Sequence, residues 1–423
     1  MDSIRLKKFV GAVALVAVVL LNIRAERSKP DRAGMLVTAL HTVVFIMRKG
    51  PTILITRMLG AGGQKGWTAF EEFAMRVLNF SAHVGDISIP HKLIDVYGRA
   101  NQAASVLVHG VNVTNIGPEL LGFGPGSSGL KKFGEGVQCT GKWVALDGDT
   151  KFLGRNVKCL LYYHGGGYCF GNSLMYLSAF AKLLRLLAAE GVQAGILSID
   201  YPLAPKFQFP VPINAGIHVF DFLVMEKRLL KPEDVIALGD SAGGNLATNL
   251  GLRATKVNLA GLVLISPWVG FKTDTVSQTE FAGVDLIGGQ LLQEQFKEGF
   301  MPGGRCQSVS MLHFVDKHGP FASLPPCFLT YGEVEVFRDD IQRFANALES
   351  QDTPVTVFVG QDAPHIFPML WPLFSASSEP ALKYIAEFCA TRFVEAAQES
   401  KVRAKSALAF AKMRVEGNED VYV

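Results

Sequence analysis

The segment Gly239-Asp240-Ser241-Ala242-Gly243-Gly244 places a serine between glycines two residues before and two residues after it. That spacing suits a nucleophilic hydroxyl on a sharp strand-to-helix turn. The glycines leave room for the crossing, and the helix start offers N–H groups to a developing oxyanion. A G-x-S-x-G alone occurs in many small-residue turns. Here an apolar run at 235–238 precedes it and a helical pattern over 241–253 follows, which is the context an elbow requires. A second candidate is His164-Gly165-Gly166-Gly167-Tyr168, directly after an apolar run ending at Tyr163. Successive glycines let a backbone approach a ligand and turn N–H groups toward it. In a serine hydrolase such a loop supplies oxyanion donors; the plainer readings are a tight turn or a phosphate loop. No Lys-Ser/Thr follows, which excludes a Walker A loop. His164 is expected to pin this loop by hydrogen bonds and not to act as a base.

The elements around these motifs alternate. Apolar, β-rich runs cover 157–163, 193–199, 235–238, 259–265, 327–331 and 355–359. Helical patterns cover 173–190, 214–226, 241–253, 339–350, 366–374 and 380–398. Strand–helix alternation predicts an α/β fold with a mostly parallel sheet covered by helices on both faces. Residues 60–135 are mixed, and the Gly/Pro/Ser-rich stretch 117–129 has loop composition.

Four motifs in order carry a family resemblance: His164-Gly165-Gly166-Gly167, Asp200-Tyr201-Pro202-Leu203-Ala204-Pro205, Gly239-Asp240-Ser241-Ala242-Gly243-Gly244-Asn245, and Ser266-Pro267-Trp268. Over roughly residues 137–395 the chain resembles the hormone-sensitive lipase family of α/β-hydrolases. Within that family it looks like the membrane-anchored arylacetamide deacetylase and fungal steryl acetyl hydrolase group. The resemblance implies an α/β-hydrolase fold and a chain order of nucleophile, acid, histidine. Ser241 is then the nucleophile, with Gly239 and Gly243 supporting its turn and His164 and Gly165 supporting the glycine loop. Aligning Arg338-Asp339-Asp340 with the family's Arg-Asp-Asp puts Glu335 at the acid position, where the family has Asp; Glu333 is the rival. The segment Pro364-His365-Ile366-Phe367 matches the family's histidine loop, so His365 takes the base role. Asp339 and Asp340 are expected to be surface charges. The N–H groups of Gly166, Gly167 and Ala242 are the expected oxyanion donors. Pro202 and Lys206 stand where the family usually has Arg and Glu, which bears on substrate preference. The implied activity is hydrolysis of a lipophilic small-molecule ester, such as a steryl or aryl acetate, through an acyl-enzyme, with no metal or cofactor. The alternatives are an acyltransferase using the same residues, a secondary-metabolite hydrolase, and a non-catalytic ligand-binding module.

Composition bounds the remaining choices. With 423 residues, 49% of them hydrophobic and 19% charged, the chain is neither disordered nor too short for a large core. A net charge of +3 gives no general attraction for nucleic acid. The six cysteines are widely spaced without zinc-ligand intervals, and are expected to be small buried hydrophobes. His41, His83, His91, His109, His218, His313 and His318 lack a strand–loop setting and are expected to be structural.

Residues 9–23 form an uncharged apolar run behind Arg5, Lys7 and Lys8. Ile23-Arg24-Ala25 is a poor cleavage site, so the run is expected to be an uncleaved signal anchor contacting membrane lipid. Basic residues flank both ends, so orientation rests on the short cationic start, the resemblance, and the sequons at Asn79 and Asn112. Together they point to the endoplasmic reticulum membrane, a single pass, and a luminal catalytic domain. Thr38, His41 and Thr42 make one polar stripe across 33–47, as on an amphipathic helix lying on the bilayer or on the enzyme body, with a second span as the alternative. The expected division is 1–32 anchor and linker, 33–136 amphipathic and cap segments, 137–398 catalytic domain with an N-terminal helical cap over it, and 399–423 a tail.

Overall fold

The computed structural model describes residues 50–53, 55–56, 63–84, 102–103, 105–146, 152, 157–254, 257, 259–270, 274–288, 290–304 and 321–419. The expected anchor at 9–23, the stretch 33–47 and Cys306 lie outside them.

The six apolar runs become β3 to β8 of one eight-stranded sheet, which two strands outside those runs complete: β1 (Asn112–Ile116), β2 (Thr140–Ala145), β3 (Lys158–Tyr163), β4 (Ala194–Asp200), β5 (Val235–Asp240), β6 (Gly261–Ile265), β7 (Cys327–Gly332) and β8 (Val355–Gly360). Their spatial order is β1-β2-β4-β3-β5-β6-β7-β8. From β4 through β8 the pairing is parallel, while β1 and β2 join antiparallel. The central β5 and β6 are buried at every position, which is why they read as continuous apolar runs and not as alternation. On β3, Leu161 and Tyr163 enter one core, while Leu160 and Tyr162 enter the other, because successive side chains face opposite sides.

The helices are α1 (Ala69–Val84), α2 (Ser128–Phe133), α3 (Leu177–Ala189), α4 (Val211–Phe220), α5 (Ala242–Arg253), α6 (Val276–Glu280), α7 (Gln290–Phe300), α8 (Arg338–Glu349) and α9 (Ser375–Glu419). α3 buries Leu177, Phe180, Leu184 and Leu187 on one stripe. α9 buries Leu382, Ile385, Cys389 and Phe393 in the same core. The five described cysteines are free and buried.

Three expectations are corrected. β1 lies inside the segment read as cap, so the sheet begins well before residue 137. Its sequence Asn-Val-Thr-Asn-Ile is half polar, because it is an edge strand with exposed positions. The stretch beyond 398 is not a separate tail but a continuation of α9 to Glu419. Residues 366–374 hold only a short 3-10 turn, Phe367–Leu370, before α9 starts.

The cap is built from two places. α1 comes from the N-terminal segment, as expected. α6 and α7 come from the β6–β7 connection. Arg76 of α1 donates to the Gly283 carbonyl at 3.0 Å. Asn79 donates through Nδ2 to Ala282 O at 3.1 Å and Asp285 O at 2.6 Å. That amide is the atom a glycan would need, so the Asn79 sequon is corrected: it is a packing contact in the folded chain. Trp67 donates from its indole to the carbonyl of Asp362, just ahead of His365. Its buried ring meets Phe374 edge-on at 5.2 Å. Trp67→Ala removes both contacts and leaves a void. It is expected to lower stability by about 3 kcal/mol, read from the urea midpoint at unchanged m-value.

Candidate active site

Parallel pairing brings the C-terminal ends of β3, β5, β7 and β8 to one edge. Tyr163 is registered with Gly239, Asp240 with Ile265, and Gly332 with Gly360. Each of the sequence-derived residues follows one of these ends, where ligand sites of open α/β sheets form.

Ser241 stands between β5 and α5 with φ 51° and ψ −119°. A non-glycine residue there stores about 1–3 kcal/mol of strain and needs outside restraint. Its N–H donates to Ile265 O at 2.9 Å, and its carbonyl accepts from Trp268 N at 2.9 Å. The hydroxyl does not cap α5. The crossing beneath it is tight. A Cβ at Gly243 would lie 1.9 Å from Tyr163 O, and one at Gly239 would lie 2.2 Å from Gly243 O.

Glu335 and His365 meet. Glu335 is 0% exposed and its Oε1 lies 3.2 Å from Nδ1 of His365, itself 2% exposed. Its Oε2 accepts from Ser266 Oγ and Gly332 N, both at 2.7 Å. Ser266 Oγ in turn accepts from Ile366 N at 2.9 Å. A carboxylate only accepts, so Nδ1 carries the proton of the neutral ring and Nε2 keeps its lone pair. Among the described residues that buried Nε2 has no hydrogen-bond partner. Burial disfavours the imidazolium, but the Glu335 hydrogen bond, its charge, and the charges of Asp285 and Asp240 outweigh it. The His365 pKa is therefore raised above the ordinary histidine value.

The rival acid sits elsewhere: Glu333 is exposed and accepts from Asp362 N at 3.1 Å. Asp339 and Asp340 are corrected from surface charges. Asp339 accepts from Ser277 N at 2.9 Å, and Asp340 is buried with its carboxylate on Arg343.

The glycine loop leaves the end of β3, beside the elbow, where Gly165 N donates to Asp240. Gly166 has φ 108° and Gly167 φ 59°, conformations that favour glycine. His164 is buried, donates through Nδ1 to Gly165 O at 2.7 Å, and stacks on Tyr201 at 4.4 Å. Tyr201 donates its hydroxyl to His164 O at 2.6 Å. His164 therefore shapes the loop, as expected. Ala242 is the first residue of α5, where no intrahelical carbonyl takes its N–H.

Four residues here were not singled out from sequence. Asp240 accepts from Gly165 N at 2.9 Å, Tyr162 at 2.6 Å and Tyr176 at 2.8 Å, tying the glycine loop to the elbow. Burial pushes its carboxyl above the usual range, against those hydrogen bonds and His365. Asn245 accepts from the Tyr168 hydroxyl at 2.9 Å and donates to Trp268 O at 2.8 Å. Ser266 and Asp285 complete the set. Asp240, Asn245 and Ser266 lie inside quoted motifs, which was an available signal; Asp285 lies in no motif. Among the described residues, no cluster of His, Cys, Asp and Glu could hold a metal ion.

Comparison with known proteins agrees with this architecture. Residues 160–369 match the family described as alpha/beta hydrolase fold. The chain is 31% identical over 237 residues to an esterase of Acinetobacter venetianus, covering 54% of this chain and 73% of that one. It is 40% identical over 95 residues to arylacetamide deacetylase-like 2 of Homo sapiens, covering 22% and 23%. A crystal structure of an esterase from the bacterial hormone-sensitive lipase family superposes with a TM-score of 0.60 at 19% identity, over 76% of this chain and 98% of that one, a likeness of fold. The strand–helix crossing can be tested directly. Gly243→Ala forces a methyl against the backbone of β3 and is expected to lower stability by about 1–3 kcal/mol in chemical denaturation.

Proposed function

This chain belongs to the α/β-hydrolase fold family and is a hydrolase, and we propose that it is a serine carboxylic-ester hydrolase of the deacetylase type. The observation that carries this reading is the convergence of three strand ends. β5 delivers Ser241 on a strained turn, β7 delivers Glu335, and β8 delivers His365 on the Glu335 carboxylate, its Nε2 making no hydrogen bond among the described residues, Ser241 Oγ included. In the proposed reaction, Nε2 takes the Ser241 proton as Oγ attacks the ester carbonyl. Glu335 holds the ring and stabilises the imidazolium. The N–H groups of Gly166, Gly167 and Ala242 receive the oxyanion, each donor contributing about 3 kcal/mol. His365 then gives its proton to the departing alcohol. Water, deprotonated by the same Nε2, attacks the acyl-enzyme and releases the acid and free Ser241.

The substrate class we infer is a lipophilic acetate ester, steryl or aryl. Its support is the relative named arylacetamide deacetylase-like 2 and the aromatic surroundings of the site. Tyr168 stacks on Phe300 at 4.2 Å, and Phe337 meets His365 edge-on at 5.2 Å. The ring of Phe296 covers Gly167 closely enough that a Cβ there would lie 2.5 Å from it.

We further infer attachment to the endoplasmic reticulum membrane by residues 9–23, with the hydrolase in the lumen. The support is the apolar run itself and the Asn112 sequon. Among the described residues no helix is long and apolar enough to cross a membrane. Luminal attachment predicts that microsomal protein stays in the pellet after carbonate extraction and gains mobility on glycosidase treatment. Asn112→Gln abolishes that shift, since the Asn79 amide is engaged. Protein released by carbonate and unchanged by glycosidase would exclude this placement.

A fluorophosphonate should label the wild type and not Ser241→Ala, and hydrolysis of aryl and steryl acetates should disappear with the label. Glu335→Gln is expected to lower kcat about 10³-fold or more, whereas Glu333→Gln leaves it near wild type. The sign of the pH effect follows from the base role. Only neutral His365 accepts the serine proton, so activity falls as pH drops through its raised pKa. Removing the Glu335 charge lowers that pKa, so the acid limb of kcat/KM moves to lower pH. An unmoved limb with full activity would reject the triad.

A further inference from the structure

Asp285 takes no part in the mechanism above, yet it is buried beside it in the connection between β6 and β7. Its carboxylate is spent on three backbone N–H groups, two of them in the site loops. Oδ1 accepts from His365 N at 3.0 Å and from Leu286 N at 2.7 Å. Oδ2 accepts from Val336 N, the residue after Glu335, at 2.9 Å. One side chain thus holds the peptide unit of the base and the peptide unit next to the acid. It is itself held from behind. Its main-chain carbonyl accepts from Asn79 Nδ2 of α1 at 2.6 Å and from Gly288 N at 3.2 Å, and its own N–H donates to Phe281 O at 2.9 Å. Among the described residues it makes no ion pair with Lys or Arg. A buried carboxylate without a cation is costly unless hydrogen bonds and a nearby positive charge compensate it. The imidazolium that forms during turnover is such a charge.

We propose that Asp285 is a positioning residue for His365: a second carboxylate, supplied by the cap, that fixes the backbone of the base loop and adds its charge to that of Glu335. The inference rests on the triad reading above. The groups facing His365 are Glu335 and the Phe337 ring from beyond β7, Asp240 from the end of β5, and Asp285 from the cap. Burial, opposed by His365 and reinforced by Glu335, raises the Asp285 pKa to about 6. Asp285 therefore takes up a proton as pH falls through that value, and its support for His365 weakens in the same range. Assembly of the base then depends on the cap being seated, because the same clamp joins α1, the β6–β7 connection and the base loop.

The test is Asp285→Asn in the full chain, with rates expressed per serine labelled by a fluorophosphonate so that unfolded molecules do not count. kcat for an aryl acetate is expected to fall about tenfold or more with KM little changed, because a small misplacement of the base costs rate and not binding. The acid limb should move to lower pH, because one negative charge facing His365 is gone. Asp285→Glu keeps the charge but alters the reach, so kcat should fall while the limb stays in place. Wild-type kcat and an unmoved limb in Asp285→Asn would overturn the proposal. If that variant yields no labelled serine, wild-type kcat in Asp285→Glu would overturn it instead. A wild type that neither labels at Ser241 nor cleaves acetate esters is a different failure: it removes the triad reading, and this inference with it.

Discussion

The carboxylate of Glu335 is the contact on which the site depends. It is wholly buried, and an unpaired buried charge costs several kcal/mol, so its oxygens must find partners. Those partners come from three separate strand ends: Gly332 N at the last residue of β7, Ser266 Oγ after β6, and His365 Nδ1 after β8. Satisfying one charge therefore fixes the relative placement of three loops. Ser266 shows how firmly. It holds φ at 42°, an unfavourable value for serine, because its hydroxyl both donates to Glu335 and accepts from Ile366 N.

A similar arrangement operates on the opposite side of the elbow. Asp240 is buried at the end of β5 and gathers Tyr162, Tyr176 and Gly165 N. Asn245, one turn into α5, links Tyr168 of the glycine loop to Trp268. Glycine loop, elbow and the 266–268 turn are thus connected through side chains of one short motif. Donors held in this way need little reorganisation when charge develops on a substrate oxygen, which is where electrostatic catalysis gains most. The covering layer, made of α1 and the β6–β7 connection, lowers the local dielectric and strengthens each of these interactions.

Much of this was legible in the linear chain. The glycine spacing around Ser241 exists because backbones cross within van der Waals contact there, Gly239 against Gly243 inside the turn and Gly243 against Tyr163 of β3, and the motif that permits this is written in six consecutive residues. The alternation of apolar runs and helical patterns over 157–398 is local as well, since burial on both faces of a strand leaves a continuous apolar signature. The family resemblance placed His365 and favoured Glu335 over Glu333, and the structure brings Glu335, not Glu333, to the ring.

What tertiary structure decided is of another kind. β1 was hidden because an edge strand needs few apolar residues, and its membership in the sheet is settled by pairing with β2. In the β6–β7 connection Leu292, Phe296 and Phe300 stand at helical spacing, but that spacing does not say that the segment will join α1 in the cap, and the Asn79 sequon does not say that its amide will meet the carbonyls of 282 and 285. Asp285 has no motif, and its neighbours in sequence give no hint that it will meet His365, 80 residues away. The sequence by itself determined the turn that carries Ser241, the glycine loop, and strands β3 to β8, because backbone conformation and burial pattern are written within a few residues. The buried hydrogen bonds that aim those residues join segments far apart in the chain, and only the folded sheet, by bringing its strand ends together, decides which distant donor meets which acceptor.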